Sequence, residues 1–336
     1  MRNSLLFPDP ILTANVYAEG LLDDLLLRAI MPFWRDMQKL QGESYLWTVR
    51  YSRRGEHLKV RIHGLNESRL QLQQLFAKYV EEYLVQVQDQ NLAVSRVNRE
   101  DVPAIDTDDV GPIAEDRSFI WSTYRRSPVS LPASPWLDDD LLAAHVCRCL
   151  ARGCELLFSA LDAGMTTSRA SQQKLLMKCL LSSLRALGLA ESSQAADYFT
   201  YHRGWLLRFF VDDAAKEEYV LRQFEEQSRR TPASLIQIRT LAKALWNSTT
   251  SASAWERDME EFGDYLNGFR HHAGYLVDPF TSNVTFAPVF KVFHGLANQI
   301  GLRPLDEAQT HHLLAAALAS DEISLAETLP ANGISS

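Results

Sequence analysis

Residues 50–63 carry Arg50, Arg53, Arg54, His57, Lys59, Arg61 and His63, interleaved with Tyr51, Leu58, Val60 and Ile62. Side chains at every second position of a strand point to one side, so His57, Lys59 and Arg61 form a row of donors. Such a row suits carboxylates and developing negative charge on amide oxygens; it is equally the pattern of a solvated strand face. A second group lies near the other end of the chain. His294 stands in the apolar run Phe290, Val292, Phe293, Leu296, Ile300, with Asn298 four residues on. An ionisable ring there is either a satisfied core histidine or a proton-transfer group, and Asn298, on the same helix face, either orients it or caps a buried carbonyl. Tyr198, Tyr201, His202 and Arg203 fall within about two helical turns, followed by Trp205, and read either as a pocket lining or as a core stripe. His271–His272 and His311–His312 read as surface pairs, because adjacent helical residues diverge by about 100°.

Holding these residues requires definite elements. Around a polar turn at 52–56, Leu46, Thr48 and Arg50 alternate with Trp47, Val49 and Tyr51, and Leu58, Val60 and Ile62 alternate with His57, Lys59, Arg61 and His63, the pattern of a β-hairpin. A strand over 13–18 and an amphipathic helix over 21–39, with Asp23 and Asp24 at its positive end, precede it. A helix over 67–88 follows, then a last strand at either 91–97 or 118–124. The order is β-α-β-β-α-β, the ferredoxin-like arrangement, whose sheet needs helices on one face and something else on the other. Residues 100–116, rich in acids and broken by Pro103, Gly111 and Pro112, read as a loop. From 138 onward apolar residues recur at helical intervals over 138–160, 168–187, 192–211, 232–246, 253–269, 288–301 and 311–319. The expected architecture is α+β: a ferredoxin-like subdomain over 1–135 packed on a mostly helical one over 136–323, with Arg50 and Arg61 on the sheet facing the helices, and a disordered tail over 324–336.

Composition narrows the classes. A chain of 336 residues, 46% of them hydrophobic, can bury a large core. Its net charge of −8 argues against a general nucleic-acid binder, although the hairpin is locally basic. No apolar stretch reaches membrane-spanning length, and Pro8, Asp9 and Pro10 interrupt the N-terminus before a signal-peptide core forms, so a cytoplasmic protein is expected. Cys147, Cys149, Cys154 and Cys179 have no paired metal spacing and read as buried thiols. Phosphate-loop, dinucleotide, serine-hydrolase and zinc-protease motifs are absent.

Trp47 to Tyr51, then His57–Leu58–Lys59–Val60–Arg61, then His294–Gly295–Leu296–Ala297–Asn298–Gln299 and Gly301 occur in an order that resembles the thiopeptide-type biosynthesis domain, the stand-alone relative of the C-terminal elimination domain of lantibiotic dehydratases. In that family an aromatic-x-x-Arg-Tyr strand precedes a His-Leu-Arg-x-Arg strand, and a His-Met-x-x-Asn-Arg segment closes the chain. The resemblance spans residues 14–318. Its glutamate eliminases carry Tyr-x-x-Glu-x-Glu-Arg-Tyr-Gly-Gly after the last strand; here the place reads Tyr124–Arg125–Arg126–Ser127–Pro128–Val129–Ser130–Leu131, without those glutamates. That run and the helix from Cys149 to Cys154 look like the pyridine-synthase branch instead. The resemblance then implies a formal aza-[4+2] cycloaddition between two dehydroalanines of a ribosomal peptide, followed by loss of water and of the leader peptide. Such a reaction needs two distant alkenes held together and one amide held as its iminol. Glutamate elimination and non-catalytic leader binding stay as alternatives. The catalytic groups this implies are His294, Tyr124, Tyr198, Tyr201 and His202. Substrate binding falls to Arg50, Arg53, Arg54, His57 and Arg61, together with Arg126, Ser127, Arg203 and Asn298. No cofactor or metal is expected. The expected partner is the precursor peptide, leader plus dehydrated azole-containing core, with a homodimer allowed and neither nucleic acid nor membrane involved.

Overall fold

The computed structural model describes residues 12–40, 45–51, 56–63, 69–88, 116–122, 140–187, 189, 192–211, 213–248, 253–272 and 283–319. The architecture is α+β. Two compact units are formed, one by Met1–Leu176 with Ala252–Arg303 and the other by Met177–Ser251 with Pro304–Ser336. Among the described residues no helix is long and apolar enough to cross a membrane.

The first unit contains β1 (Leu12–Tyr17), then α1 (Leu22–Leu25), which runs through a π-helical turn (Leu26–Ile30) into α2 (Met31–Met37). The π turn stands directly before Pro32, which has no N–H to donate to Arg28, so the helix widens where a regular bond is impossible. The hairpin strands β2 (Tyr45–Tyr51) and β3 (His57–His63), helix α3 (Arg69–Val87) and β4 (Ser118–Ser122) follow. The sheet order β2-β3-β1-β4, antiparallel throughout, is the ferredoxin-like one. Of the two stretches offered for the last strand, the second pairs with β1; residues 91–97 lie outside the described set. The remaining elements are α4 (Asp140–Asp162), α5 (Arg169–Ala186), α6 (Ser192–Phe210), α7 (Ala214–Arg230), α8 (Pro232–Trp246), α9 (Ala254–His272), α10 (Asn283–Ile300) and α11 (Pro304–Ala319).

Register divides the sheet into two faces. Leu12, Ala14, Val16, Leu46, Thr48, Leu58, Val60 and Ile62 share one and are buried. Helices pack on it: the Phe76 ring of α3 lies 6.0 Å from Phe119 and 5.3 Å from Trp121 of β4, and the Cys154 thiol of α4 lies 3.9 Å from the Thr48 hydroxyl. Burying the apolar side chains of this face stabilises by about 1.5–3 kcal/mol each, which is why it is mostly apolar, with Thr48 as a polar member. Helices α4 and α9 are joined by charge: Arg152 pairs with Asp258 at 2.8 Å and Arg148 with Glu261 at 2.6 Å. Burial comes first among the causes that hold the Cys149 thiol far above its ordinary range and push Cys154 up to about 12, so both are inert packing groups.

In the second unit α11 is buried on almost every side, from Glu307 to Leu318, and packs against α6, α7 and α8. His311 is 0% exposed and His312 7%, so the reading of these two as a surface pair is corrected. They do diverge, but α11 has neighbours in both directions: His311 stacks on His202 of α6, and His312 meets Arg203 of α6 and Phe224 of α7. Helix α7 has no counterpart among the helices expected from apolar spacing, because only Phe224 and Ser228 of it are buried. Local interactions hold it instead. Asp213 caps it by accepting from Ala215 N–H at 2.8 Å, and Glu218–Arg222, Glu225–Arg229 and Glu226–Arg230 pair four residues apart.

Candidate functional site

The second face of the sheet is polar and also buried. Thr13, Asn15, His57, Lys59 and Arg61 are between 1% and 7% exposed, and Trp47, Val49, Tyr51 and Tyr17 share their face. Across β2, β3 and β1 the rows are Tyr51–His57–Tyr17, Val49–Lys59–Asn15 and Trp47–Arg61–Thr13. The imidazole of His57 is held between two phenols, 5.1 Å and 9° from the Tyr51 ring and 4.8 Å and 28° from the Tyr17 ring. Lys59 Nζ lies 4.4 Å from the centre of the Tyr51 ring, a cation–π contact of the kind that strengthens when water is excluded. No strand residue on this face is acidic. A set of desolvated donors with one sign of charge can polarise amide oxygens and hold carboxylates far more strongly than the same groups in water.

Arg50 is separated from this row. Its partner in the ladder is Leu58, which places it on the face opposite His57, Lys59 and Arg61. There Arg50 Nη1 pairs with Asp23 of α1 at 2.6 Å. The side chain of Asn298 holds its backbone: Oδ1 accepts from Arg50 N–H at 2.6 Å and Nδ2 donates to Arg50 C=O at 3.0 Å. Because β2 is an edge strand, these two bonds satisfy groups that the ladder leaves outward. Gly301 closes α10 in the left-handed region, φ 99°, with Leu302 N–H reaching Ala297 C=O at 3.0 Å. A β-carbon at Gly301 would stand 2.8 Å from Gln172 Nε2 and 3.2 Å from Arg50 Cζ, so the backbone conformation calls for glycine and a side chain there would also displace the ends of Gln172 and Arg50.

His294 lies one turn before Asn298 on α10, half-buried, its ring 5.4 Å from Phe290 and 13° from parallel to it. The two departures from the closing motif of the resembled family are both met by α4. Gly295 stands where that motif has Met, and a β-carbon there would be 2.3 Å from Leu150 Cδ2; Gln299 stands where it has Arg, and donates to Leu150 C=O at 3.0 Å. Leu150 therefore takes the space of the missing side chain. Arg53, Arg54, Tyr124, Arg126 and Ser127 lie outside the described residues.

The second unit brings together most of the tyrosine and histidine group. Tyr198 and His202 are buried, the phenol oxygen 3.1 Å from His202 Nδ1, and burial, followed by Glu307, raises the Tyr198 phenol well above its ordinary pKa. Tyr201 and Arg203 are half-buried on the same helix. Arg203 Nη1 donates to His312 Nδ1 at 2.7 Å. Burial, then the Arg203 charge, pulls the His312 pKa down to about 4 and keeps its imidazole neutral. Glu307 and His311, which apolar periodicity did not single out as site residues, meet His202 here. The signal available in the sequence was a carboxylate and an imidazole four residues apart on one helix; His202 comes from another helix, a hundred residues earlier.

No protein-family model matches the chain, and no curated protein matches it by sequence. Solved structures do. The fold aligns with a pyridine synthase, TbtD, from thiomuracin biosynthesis at TM-score 0.60 and 16% identity, over 91% of this chain and 96% of that one. It aligns with TsrL at TM-score 0.54 and 14% identity, over 91% and 93%. A tRNA-dependent lantibiotic dehydratase, MibB, from Microbispora sp. 107891 aligns at TM-score 0.48 and 16% identity, over 91% of this chain and 27% of its own. At these identities the likeness is one of fold.

Proposed function

We propose that this chain is an enzyme that modifies ribosomally made peptides, and specifically a thiopeptide pyridine synthase. The observation that carries the reading is the fold shared with TbtD along nearly the full length of both chains. Two features of the chain support it. The run after β4 lacks the glutamates and the Arg-Tyr-Gly-Gly that elimination sites of the resembled family carry, and the sheet buries a row of donors suited to amide oxygens.

In this proposal the polar face binds the peptide. Lys59, Arg61 and Asn15 donate to backbone carbonyls, holding the two dehydroalanines within reach of each other, which lowers the entropic barrier to cycloaddition. The stacked His57 favours the iminol tautomer of the reacting amide by hydrogen bonding to it. Proton transfer during dehydration and leader loss falls to His294, carried by the helix that grips the β2 edge at Arg50. The balance of the reaction is closed without an oxidant: the cycloadduct loses one water and the leader as its C-terminal amide, and the ring becomes aromatic.

The test is incubation of the purified protein with a precursor that carries two dehydroalanines, followed by mass spectrometry. A macrocycle with free leader amide is expected. Release of glutamate from a glutamylated precursor, or peptide binding with no change of mass, would overturn the proposal in favour of an eliminase or a binding subunit.

A further inference from the structure

Glu307 of α11 is 1% exposed, and the imidazoles of His202 of α6 and His311 of α11 are 0% exposed. The separations are 3.4 Å from Glu307 Oε1 to His202 Nε2 and 3.7 Å to His311 Nε2, and the three ligand atoms lie within 4.8 Å of one another. We propose that His202, Glu307 and His311 form a binding site for a divalent cation of the zinc class, built into the α6–α11 pair.

The donor set is the first argument. Two imidazole nitrogens and one carboxylate oxygen are borderline ligands that favour zinc and its neighbours over calcium or magnesium, which prefer all-oxygen sites. Spacing is the second. An ion about 2.0–2.1 Å from each donor at tetrahedral angles keeps the donors about 3.3–3.5 Å apart, and the two separations from Glu307 lie within and just beyond that range. The third is orientation. Both rings turn the same nitrogen, Nε2, toward one carboxylate oxygen. The Tyr198 hydroxyl engages Nδ1 of His202; with the imidazole as donor of that bond, Nδ1 carries the proton and the Nε2 lone pair is left to a metal, as the proposal requires. The rings now lie 20° from parallel with centroids 4.0 Å apart. A coordinating lone pair lies in the ring plane, so binding opens this stack and shortens the Glu307–His311 separation. A buried carboxylate needs positive charge beside it. The competing source is a proton, giving an imidazolium–carboxylate pair, and the experiment separates the two.

The full-length protein is stripped with chelator, dialysed, and titrated with Co²⁺ and with Zn²⁺, in parallel with refolding in the presence of either ion, since a closed site loads as its helices come together. Expected are one equivalent of metal per chain, visible absorption bands of four-coordinate cobalt with a water completing the three protein ligands, and a rise in the unfolding midpoint with bound zinc. His311→Gln should weaken cobalt binding at least 10²-fold, and Tyr198→Phe, which keeps the ring and its packing, by about 10-fold. Absence of the four-coordinate cobalt spectrum in the wild-type chain under both loading conditions overturns the proposal and assigns the charge to a proton. So does a spectrum unchanged in folded His311→Gln, which would place the metal on other histidines. If His311→Gln does not fold, the wild-type spectrum and Tyr198→Phe decide.

Discussion

On the sheet, Lys59 and Arg61 are buried among strand neighbours that carry no acid, whereas between α6 and α11 the buried carboxylate of Glu307 lies against two imidazoles. The two arrangements answer different demands. A row of cations is matched by negative charge or by carbonyl dipoles. A carboxylate set between imidazoles holds two helices in register once a proton or a cation supplies the opposite charge. The first is the arrangement proposed to meet the peptide, and the second is the one expected to bear most on stability.

The largest effect expected from this division is on stability. Glu307→Gln leaves the shape of the helix pair but removes its charge, and should cost about 3–5 kcal/mol, the range for breaking a buried pair, measured by denaturant unfolding. A loss below about 1 kcal/mol would mean that the carboxylate is not compensated by its neighbours at all. On the sheet the reverse is expected. Lys59→Met removes the charge 4.4 Å from the centre of the Tyr51 ring and should move the unfolding midpoint less than Glu307→Gln does, while lowering turnover of a bis-dehydroalanine peptide by about 10²-fold, the scale for one preorganised donor. His294→Ala should lower turnover by a similar factor with leader affinity unchanged; His294→Phe, which keeps ring volume without hydrogen bonding, should match it. Wild-type turnover in folded His294→Phe would confine the chemistry to the polar face.

A smaller effect is expected at the edge of β2. Asn298→Ala removes both bonds to the Arg50 backbone and should cost about 1–3 kcal/mol, with the Arg50 amide losing protection in hydrogen exchange ahead of its neighbours in β3. Uniform loss of protection across the hairpin would show that the contact is not local. The smallest effect is a slope. His312 is held at about 4 in the fold against an ordinary 6.5, so the unfolded chain takes up a proton that the folded one refuses. Stability from this site is full above pH 6.5 and falls as the pH drops toward 4. His312→Asn keeps an acceptor for Arg203 but does not titrate, and should flatten that part of the stability profile.

The sheet was legible in the sequence because strand alternation is a local property: Leu58, Val60 and Ile62 could only turn inward together, leaving His57, Lys59 and Arg61 on the other face. The helices with an apolar stripe were legible for the same reason. Helix α7 was not, since its order comes from a cap and charge pairs, and its few apolar residues include the exposed Tyr219. The charged clusters behaved differently again. The motif around His294 and Asn298 is visible in one dimension, but the partner of Asn298 is the Arg50 backbone, far away along the chain.

Alternation and spacing by themselves determined the run of strands and helices that makes the α+β class and the segregation of cations on β3, because each depends on residues only two to four positions apart; which stretch completes the sheet was decided by pairing with β1, about a hundred residues away. Tertiary structure alone decided which face Arg50 occupies, since one residue of register reverses every side chain of a strand. It also decided that His311 and His312 are buried: a polar residue on a helix records its own direction, but whether that direction meets water or another helix depends on elements that arrive from elsewhere in the chain.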